Sequence, residues 1–358
     1  MLAKKLFKIT FLICYFFVAL TASIEVKTVF GPLKLEGVLF KIYNMEHMQR
    51  LKSIDQSGIT AYWSGVAKFG KLPKFSRLEH SVDVLWLVKS YGGEFKEQIA
   101  ALVHDISHTA FSHVADVVFE VQKYQDTIHE WFLQQTEIAR FISGLDLVEK
   151  DIVPENPEFK RLEQPLPDMC ADRIAYNIHT ALDLKLIDEA GVKEIVSNLR
   201  FQDGRWYFTS RKIAKKFAKI PLVLTKEFWG TADNMVIYHI SGLILKRALQ
   251  LQCITKEDMN FGTDQQILDK LAACGDPTIT RYIAKAKFIK KAYIALKDGE
   301  GTPDFVPKPK FRGIDPWVFN KHTKKFKRLS ELDKGFSKEY KRVKELCEAG
   351  YKIQLQIN

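Results

Sequence analysis

Between Ser76 and Glu130 the chain carries five of its nine histidines, His80, His104, His108, His113 and His129, interleaved with Asp105, Asp116 and Glu130 in an otherwise helical pattern. Ser76-Arg77-Leu78-Glu79 and Thr127-Ile128-His129-Glu130 both have the Ser/Thr-to-Glu spacing of a capping box, which starts a helix. Val82, Leu85 and Trp86 follow the first start at three-four spacing, and Gly92-Gly93 ends that helix. The next helix reads to about Ile106. In it Ile99, Leu102, Val103 and Ile106 form one apolar stripe, while His104, Asp105 and His108 project from the other side beside Ala100 and Ala101. A solvated face would carry Lys, Glu or Gln. A face of small residues, imidazoles and a carboxylate can pack against a neighbour and still offer ligands to Zn, Fe, Mn or Ni.

The rest of the chain frames this stretch. Residues 28–42, with Gly31-Pro32, read as short strands or turns, 45–54 as a helix and 56–74 as a hairpin or loop. Residues 107–119 continue in helix or short turns, and the second capping box opens a helix to about Ile142. Pro165 and Pro167 precede another helix over 168–184. Residues 201–209 read as a hairpin turning at Asp203-Gly204, and helices resume over 211–251. Beyond about Thr255 prolines interrupt the pattern and lysines accumulate, which suggests a boundary. With 358 residues and 46% hydrophobic composition, the chain can bury one large core or two modest ones.

A net charge of +11 favours anionic partners. Lys4, Lys5 and Lys8, an uncharged run from Phe11 to Leu20 and the small residues Thr21, Ala22 and Ser23 have the pattern of a secretory signal peptide over 1–23. An uncleaved anchor is the alternative. The expected location is exported if that segment is a signal, and cytoplasmic otherwise. The five cysteines, Cys14, Cys170, Cys253, Cys274 and Cys347, are widely spaced with no CxxC; disulfides are permitted but not demanded.

Ser76-Arg77-Leu78-Glu79-His80, His104-Asp105-Ile106-Ser107-His108 and Phe111-Ser112-His113-Val114-Ala115-Asp116 together resemble the signature of the HD-domain phosphohydrolases. The branch they look most like is the deoxynucleoside triphosphate triphosphohydrolases. The resemblance begins at Phe30-Gly31-Pro32 and Gln49 to Gln56, runs through His129-Glu130 and Asp172-Arg173-Ile174-Ala175-Tyr176, and weakens after about Leu251. It implies a mainly α-helical HD fold over 24–255 with small β-hairpin elements, and the shift in composition leaves 256–358 as a basic C-terminal helical region. It implies that His80, His104, Asp105 and Asp172 hold a divalent ion (Mn, Fe, Zn, Ni or Mg). His108 matches the catalytic histidine, with Asp116 and His129 supporting it and Glu130 orienting His129. Gln56, Arg77, His113, Arg173 and Tyr176 match positions that touch phosphate or sugar.

Two departures bear on substrate. Thr180 stands where the triphosphohydrolases often carry an aspartate near the sugar, and residues 234–239 lack the arginines that hold a triphosphate. From Lys321 to Lys344 ten Lys or Arg face three acids, with Phe319, Phe326, Phe336 and Tyr340 interleaved or adjacent. Aromatics among cations can stack on single-stranded nucleic acid, and a basic cover over the core is the plainer alternative. The expected function is metal-dependent hydrolysis of a phosphate ester or anhydride, in a nucleotide or another phosphorylated small molecule. The alternatives are a nucleotide phosphodiesterase or monophosphatase, and a silent HD protein that binds nucleotide or nucleic acid. A homo-oligomer is compatible with any of these.

Overall fold

The computed structural model describes residues 22–63 and 72–356. The segment expected to be a signal peptide therefore lies outside the described residues except for its last two, as does much of the loop expected over 56–74. Ser23 opens strand β1 (Ser23–Thr28), which pairs antiparallel with β2 (Gly31–Glu36). The reading of 28–42 as strands or turns holds only to Glu36; Gly37–Tyr43 is helical.

Helix α1 (Arg77–Ser90) starts as its sequence predicts. The Ser76 hydroxyl accepts the Glu79 N–H at 3.2 Å, and Glu79 Oε2 accepts the Ser76 N–H at 2.7 Å. It packs on α2 (Phe95–Val103) and α4 (Ala171–Asp183). Ile99, Ala100, Ala101, Leu102 and Val103 are all fully buried, so the C-terminal half of α2 is enclosed on every side, while Phe95 and Lys96 at its start are exposed. It also stops at Val103, earlier than its apolar spacing suggests, and His104 is its C-cap. Helix α3 (Tyr124–Gln134) begins before the second capping box. The Thr127 hydroxyl donates instead to Tyr124 O at 2.7 Å, and a separate helix, Glu137–Ser143, follows with Thr136 as its cap.

Strands β3 (Leu199–Gln202) and β4 (Arg205–Phe208) form the expected hairpin. Asp203 and Gly204 both have positive φ, as a two-residue turn between twisted strands requires. The expected helical run over 211–251 is two helices, α5 (Arg211–Leu224) and α6 (Ala232–Gln250), parted by a π-turn at Thr225–Trp229. Pro221 lacks an N–H for the ladder, and its carbonyl takes the Thr225 hydroxyl at 2.7 Å.

Two apolar cores result. The first joins the β1–β2 hairpin, α1, α2, α4 and α5; the second joins Phe111 and Val114 to α6 and the helices after it. Residues 256–356 contribute to both cores. Met259 and Ile267 lie in the second core, while Ile314, Val318 and Phe336 lie in the first. Strand β6 (Trp317–Asn320) pairs parallel with β4 and antiparallel with β7 (Lys325–Arg328). The basic-tail aromatics turn inward. Phe319 and Phe326 pack on Tyr207, while Phe336 on α7 (Lys334–Ala349) and nearby Tyr340 pack together. Two further strands, β5 (Tyr293–Leu296) and β8 (Lys352–Leu355), close the chain's end as an antiparallel pair.

A buried ion pair ties α1 to α4. His179 Nδ1 lies 2.5 Å from Asp83 Oδ2, and Asp83 Oδ1 accepts the Val29 N–H from the β1–β2 turn at 3.0 Å. Burial lowers the His179 pKa, but the hydrogen bond and charge of Asp83, with Asp183 and Glu79, outweigh it and leave the pKa above 6.5. The stabilisation is therefore complete below the unfolded pKa and is lost as pH rises through the raised folded value. Thermal unfolding of Asp83→Asn against the unaltered protein should show a gap that narrows as pH rises above 6.5. A gap independent of pH would remove His179 from the balance.

Candidate metal centre

Three separated stretches converge at one point. His80 lies one turn into α1 and is fully buried. His104 caps α2, where its Nδ1–H donates to Ala101 O at 2.9 Å, leaving the Nε2 lone pair free to face inward. Asp172 lies in the first turn of α4. The His80 and His104 Nε2 atoms are 3.2 Å apart, and Asp172 Oδ1 lies 2.8 Å from the first and 3.8 Å from the second. These three side chains offer ligand atoms within 4.8 Å of one another. Two imidazole nitrogens and a carboxylate oxygen meeting at this spacing fit a divalent first-row ion by geometry and by donor type.

Asp105 is close by but is shared. Its Oδ1 lies 3.5 Å from His104 Nε2 and its Oδ2 3.8 Å from His80 Nε2. Oδ2 also accepts Arg77 Nη1 at 2.8 Å, and Oδ1 lies 3.2 Å from His108 Nε2. A carboxylate oxygen has a second lone pair, so these bonds leave room for a cation. Burial raises the Asp105 pKa, but Arg77, His104 and His108 overcome it and hold the carboxyl well below the usual range. Asp172 is likewise lowered against burial, through its hydrogen bond to His80 and the charges of His80 and His104. Burial and the neighbouring Asp172 raise the Glu163 carboxyl well above its ordinary pKa, so a neutral Glu163 can donate to Asp172. Glu163 carried no signal in the sequence.

Arg77, expected at phosphate, is turned onto Asp105. Its Nε donates to Ser112 Oγ at 3.1 Å as well, so its guanidinium is already engaged. Arg173 is similarly held, by Gln164 O, Asp168 O and Glu163. Arg50 fastens the turn that follows His104. It is half-buried and donates to Ile106 O, His108 O and Gly262 O at 2.8, 2.7 and 3.0 Å.

The expected pairing of Asp116 with His108 is corrected. His108 is buried against Asp105, whereas Asp116 Oδ2 lies 3.9 Å from His113 Nδ1. The two rings meet edge to face at 5.1 Å, and the His113 side chain is 35% exposed. His113 reaches the cleft because Phe111 and Ser112 both adopt left-handed φ just before it. Asp264 holds that turn by accepting the Phe111 N–H at 2.6 Å, together with the Asp55 N–H and the Tyr62 hydroxyl. His129 Nε2 lies 3.1 Å from Val103 O, behind the HD turn. Glu130 points to solvent and no hydrogen bond links it to His129, so the expected orienting role falls away. Burial lowers both His108 and His129 to a pKa of about 4.

The cleft wall holds aromatic and amide groups. The Tyr176 ring lies 6.4 Å from the His80 ring and 5.7 Å from Trp229. Gln56 Oε1 is buried without a hydrogen-bond partner. Thr180 is buried on the same helix as Asp172.

His80→Ala should purify without stoichiometric metal while Arg77→Gln keeps some. Metal analysis finding equal content in His80→Ala and the unaltered protein would exclude this centre. In metal-stripped protein, Arg77→Gln leaves a buried carboxylate unpaired and should cost about 3 kcal/mol in urea unfolding.

Residues 77–176 match the HD domain family. The protein YdhJ of Bacillus subtilis (strain 168) is 30% identical over 297 residues, which span 81% of this chain and 87% of the relative. The metal-dependent phosphohydrolase cns2 of Cordyceps militaris is 26% identical over 299 residues, spanning 79% and 81%. Among solved structures, a phosphohydrolase from Bacteroides thetaiotaomicron VPI-5482 superposes with a TM-score of 0.64 at 15% identity, covering 94% of this chain and 100% of the other. A hypothetical protein from Aquifex aeolicus gives 0.66 at 16% identity, covering 88% and 93%. At those identities the solved structures speak for the fold alone. A relative 30% identical over four-fifths of the chain, with an HD match that opens on α1 and closes on α4, makes this protein a member of the HD-domain superfamily of metal-dependent phosphohydrolases.

Proposed function

We propose that the protein hydrolyses a phosphate ester or anhydride in a nucleotide, using His80, His104, Asp172 and Asp105 to hold the ion. The observation that carries this reading is the convergence of two imidazole nitrogens and Asp172 beside a carboxylate that Arg77 keeps ionised. A divalent ion there would polarise the phosphoryl oxygen and lower the pKa of attacking water. His113, partly exposed to the cleft and backed by Asp116, is the group suited to move a proton. Its enclosure in the cleft, then His108, Arg77 and Arg312, hold its pKa well below 6.5, so it stands neutral and able to accept. The Tyr176 and Trp229 rings and the Gln56 amide supply the stacking and hydrogen-bonding surface that a nucleoside needs.

Within the family, the triphosphohydrolase branch is the narrower proposal. Thr180 and an α6 without arginine over 234–239 weigh against its usual pocket; Val236 and Ile237 face the second core, and Asn234 bonds Thr60 and the Trp229 carbonyl. An exported location is also proposed. It is supported by the Cys253–Cys274 disulfide, with Cα atoms 5.6 Å apart, because such bonds persist in oxidising compartments.

A panel of nucleoside mono-, di- and triphosphates, with products resolved as phosphate, pyrophosphate or triphosphate, should reveal metal-dependent turnover. His113→Ala should keep its metal and lose turnover by about 100-fold or more. Turnover unchanged in His113→Ala would return the proton-transfer role to another group, and no turnover of any phosphorylated compound by the metal-loaded protein would count against the reading as a whole.

A further inference from the structure

A segment outside helix and strand, residues 303–316, runs past the cleft from the C-terminal part of the chain. It is anchored at both ends. The Tyr351 N–H donates to Pro307 O at 3.0 Å, and the Asp315 N–H donates to Pro167 O at 3.1 Å. Phe311 turns toward the first core and meets Tyr340 edge to face at 5.0 Å. Lys310 and Arg312 flank it and take the other side.

That other side is the cleft. The Arg312 guanidinium lies 5.9 Å from the Tyr176 ring and 5.9 Å from the Trp229 ring. Tyr176 is the residue that also approaches His80. Arg312 is close enough to act electrostatically on His113 and Tyr238, and Lys310 on Asp116. Four cations thus gather at the rim: Lys123, Arg173, Lys310 and Arg312. Lys123 is paired with Asp126 at 2.9 Å, and Arg173 with Glu163 and two carbonyls. Among the described residues, neither Lys310 nor Arg312 has a carboxylate within ion-pair range. Desolvation of its ammonium, then the charges of Arg312, Lys123 and Arg173, outweigh the attraction of Asp126 and bring the Lys310 pKa below 10.5. With Lys123 and Arg173 already paired, Lys310 and Arg312 are the two cations of this group left to meet an anion at the cleft mouth.

We infer that Lys310 and Arg312 bind the phosphate oxygens of the substrate, supplying from the C-terminal segment the cations that this face of α6 lacks. Arg312 lies on aromatic faces that hold its planar fork in place, an arrangement suited to phosphate. The ligand is a phosphoryl group, either the one at the ion or a second one along a phosphate chain. This inference rests on the phosphohydrolase reading.

The test is calorimetric titration of manganese-loaded full chain with inorganic phosphate and with pyrophosphate, metal content being checked after each run. Lys310→Gln/Arg312→Gln should retain manganese and lose at least tenfold in affinity. Loss for both anions places the two cations at the phosphate on the ion, and loss for pyrophosphate alone places them at a second phosphate. Unchanged affinity for both would overturn the inference while leaving the hydrolase reading intact. Neither anion binding to unaltered, manganese-loaded protein would overturn that reading and this inference with it. Arg312→Lys guards against misfolding, since it keeps the charge but not the fork; affinity should fall less than in the double variant, and an equal or larger loss with normal melting would also count against the inference.

Discussion

An ionised carboxylate buried beside a second, half-buried one is costly unless cations face them, and the centre of this protein is arranged around that constraint. Asp105 is 6% exposed and Asp172 lies in the wall beside it. Arg77 meets Asp105 at 2.8 Å, and the imidazoles of His80 and His104 face both acids. A buried carboxylate stripped of its partner is strongly destabilising, so Arg77, Asp105 and the α1–α2 contact stand or fall together. A metal ion completes the same balance, which makes metal binding and the packing of α1, α2 and α4 one problem.

The elements that hold this balance come from well outside residues 77–176. Arg50 ties the HD turn to Gly262, and Asp264 ties Phe111 to Asp55 and Tyr62. Burial of the Asp55 carboxyl lifts its pKa to about 7, and Asp264 is also raised, which shows how enclosed this support is. The left-handed residues Phe111 and Ser112 aim His113 into the cleft and are kept there by these bonds. The C-terminal third is thus part of the site's scaffold.

The metal-binding set was legible through the resemblance to the HD-domain phosphohydrolases, and local sequence rules place two of its members. A true capping box sets the start of α1 and hence the direction of His80, and an apolar run delivers His104 to the end of α2. Long-range pairings were not legible. Nothing local tells that Asp116 serves His113 rather than His108, because the choice depends on two positive φ angles. The second capping box misled because Thr127 found a carbonyl one turn back, so the helix began earlier and Glu130 faced water. Proline content beyond 255 reports local irregularity, whereas core membership depends on contacts such as β4 with β6. Glu163, Lys310 and Arg312 sit in irregular backbone, where no periodicity marks them.

The direct test is anomalous diffraction at the manganese edge from crystals of the full chain grown with that ion. A peak about 2.0–2.3 Å from His80 Nε2, His104 Nε2 and an Asp172 oxygen, with Asp105 against it, is the expected result. An ordered ion elsewhere, with these four side chains left as they are and none in contact with it, would contradict the assignment.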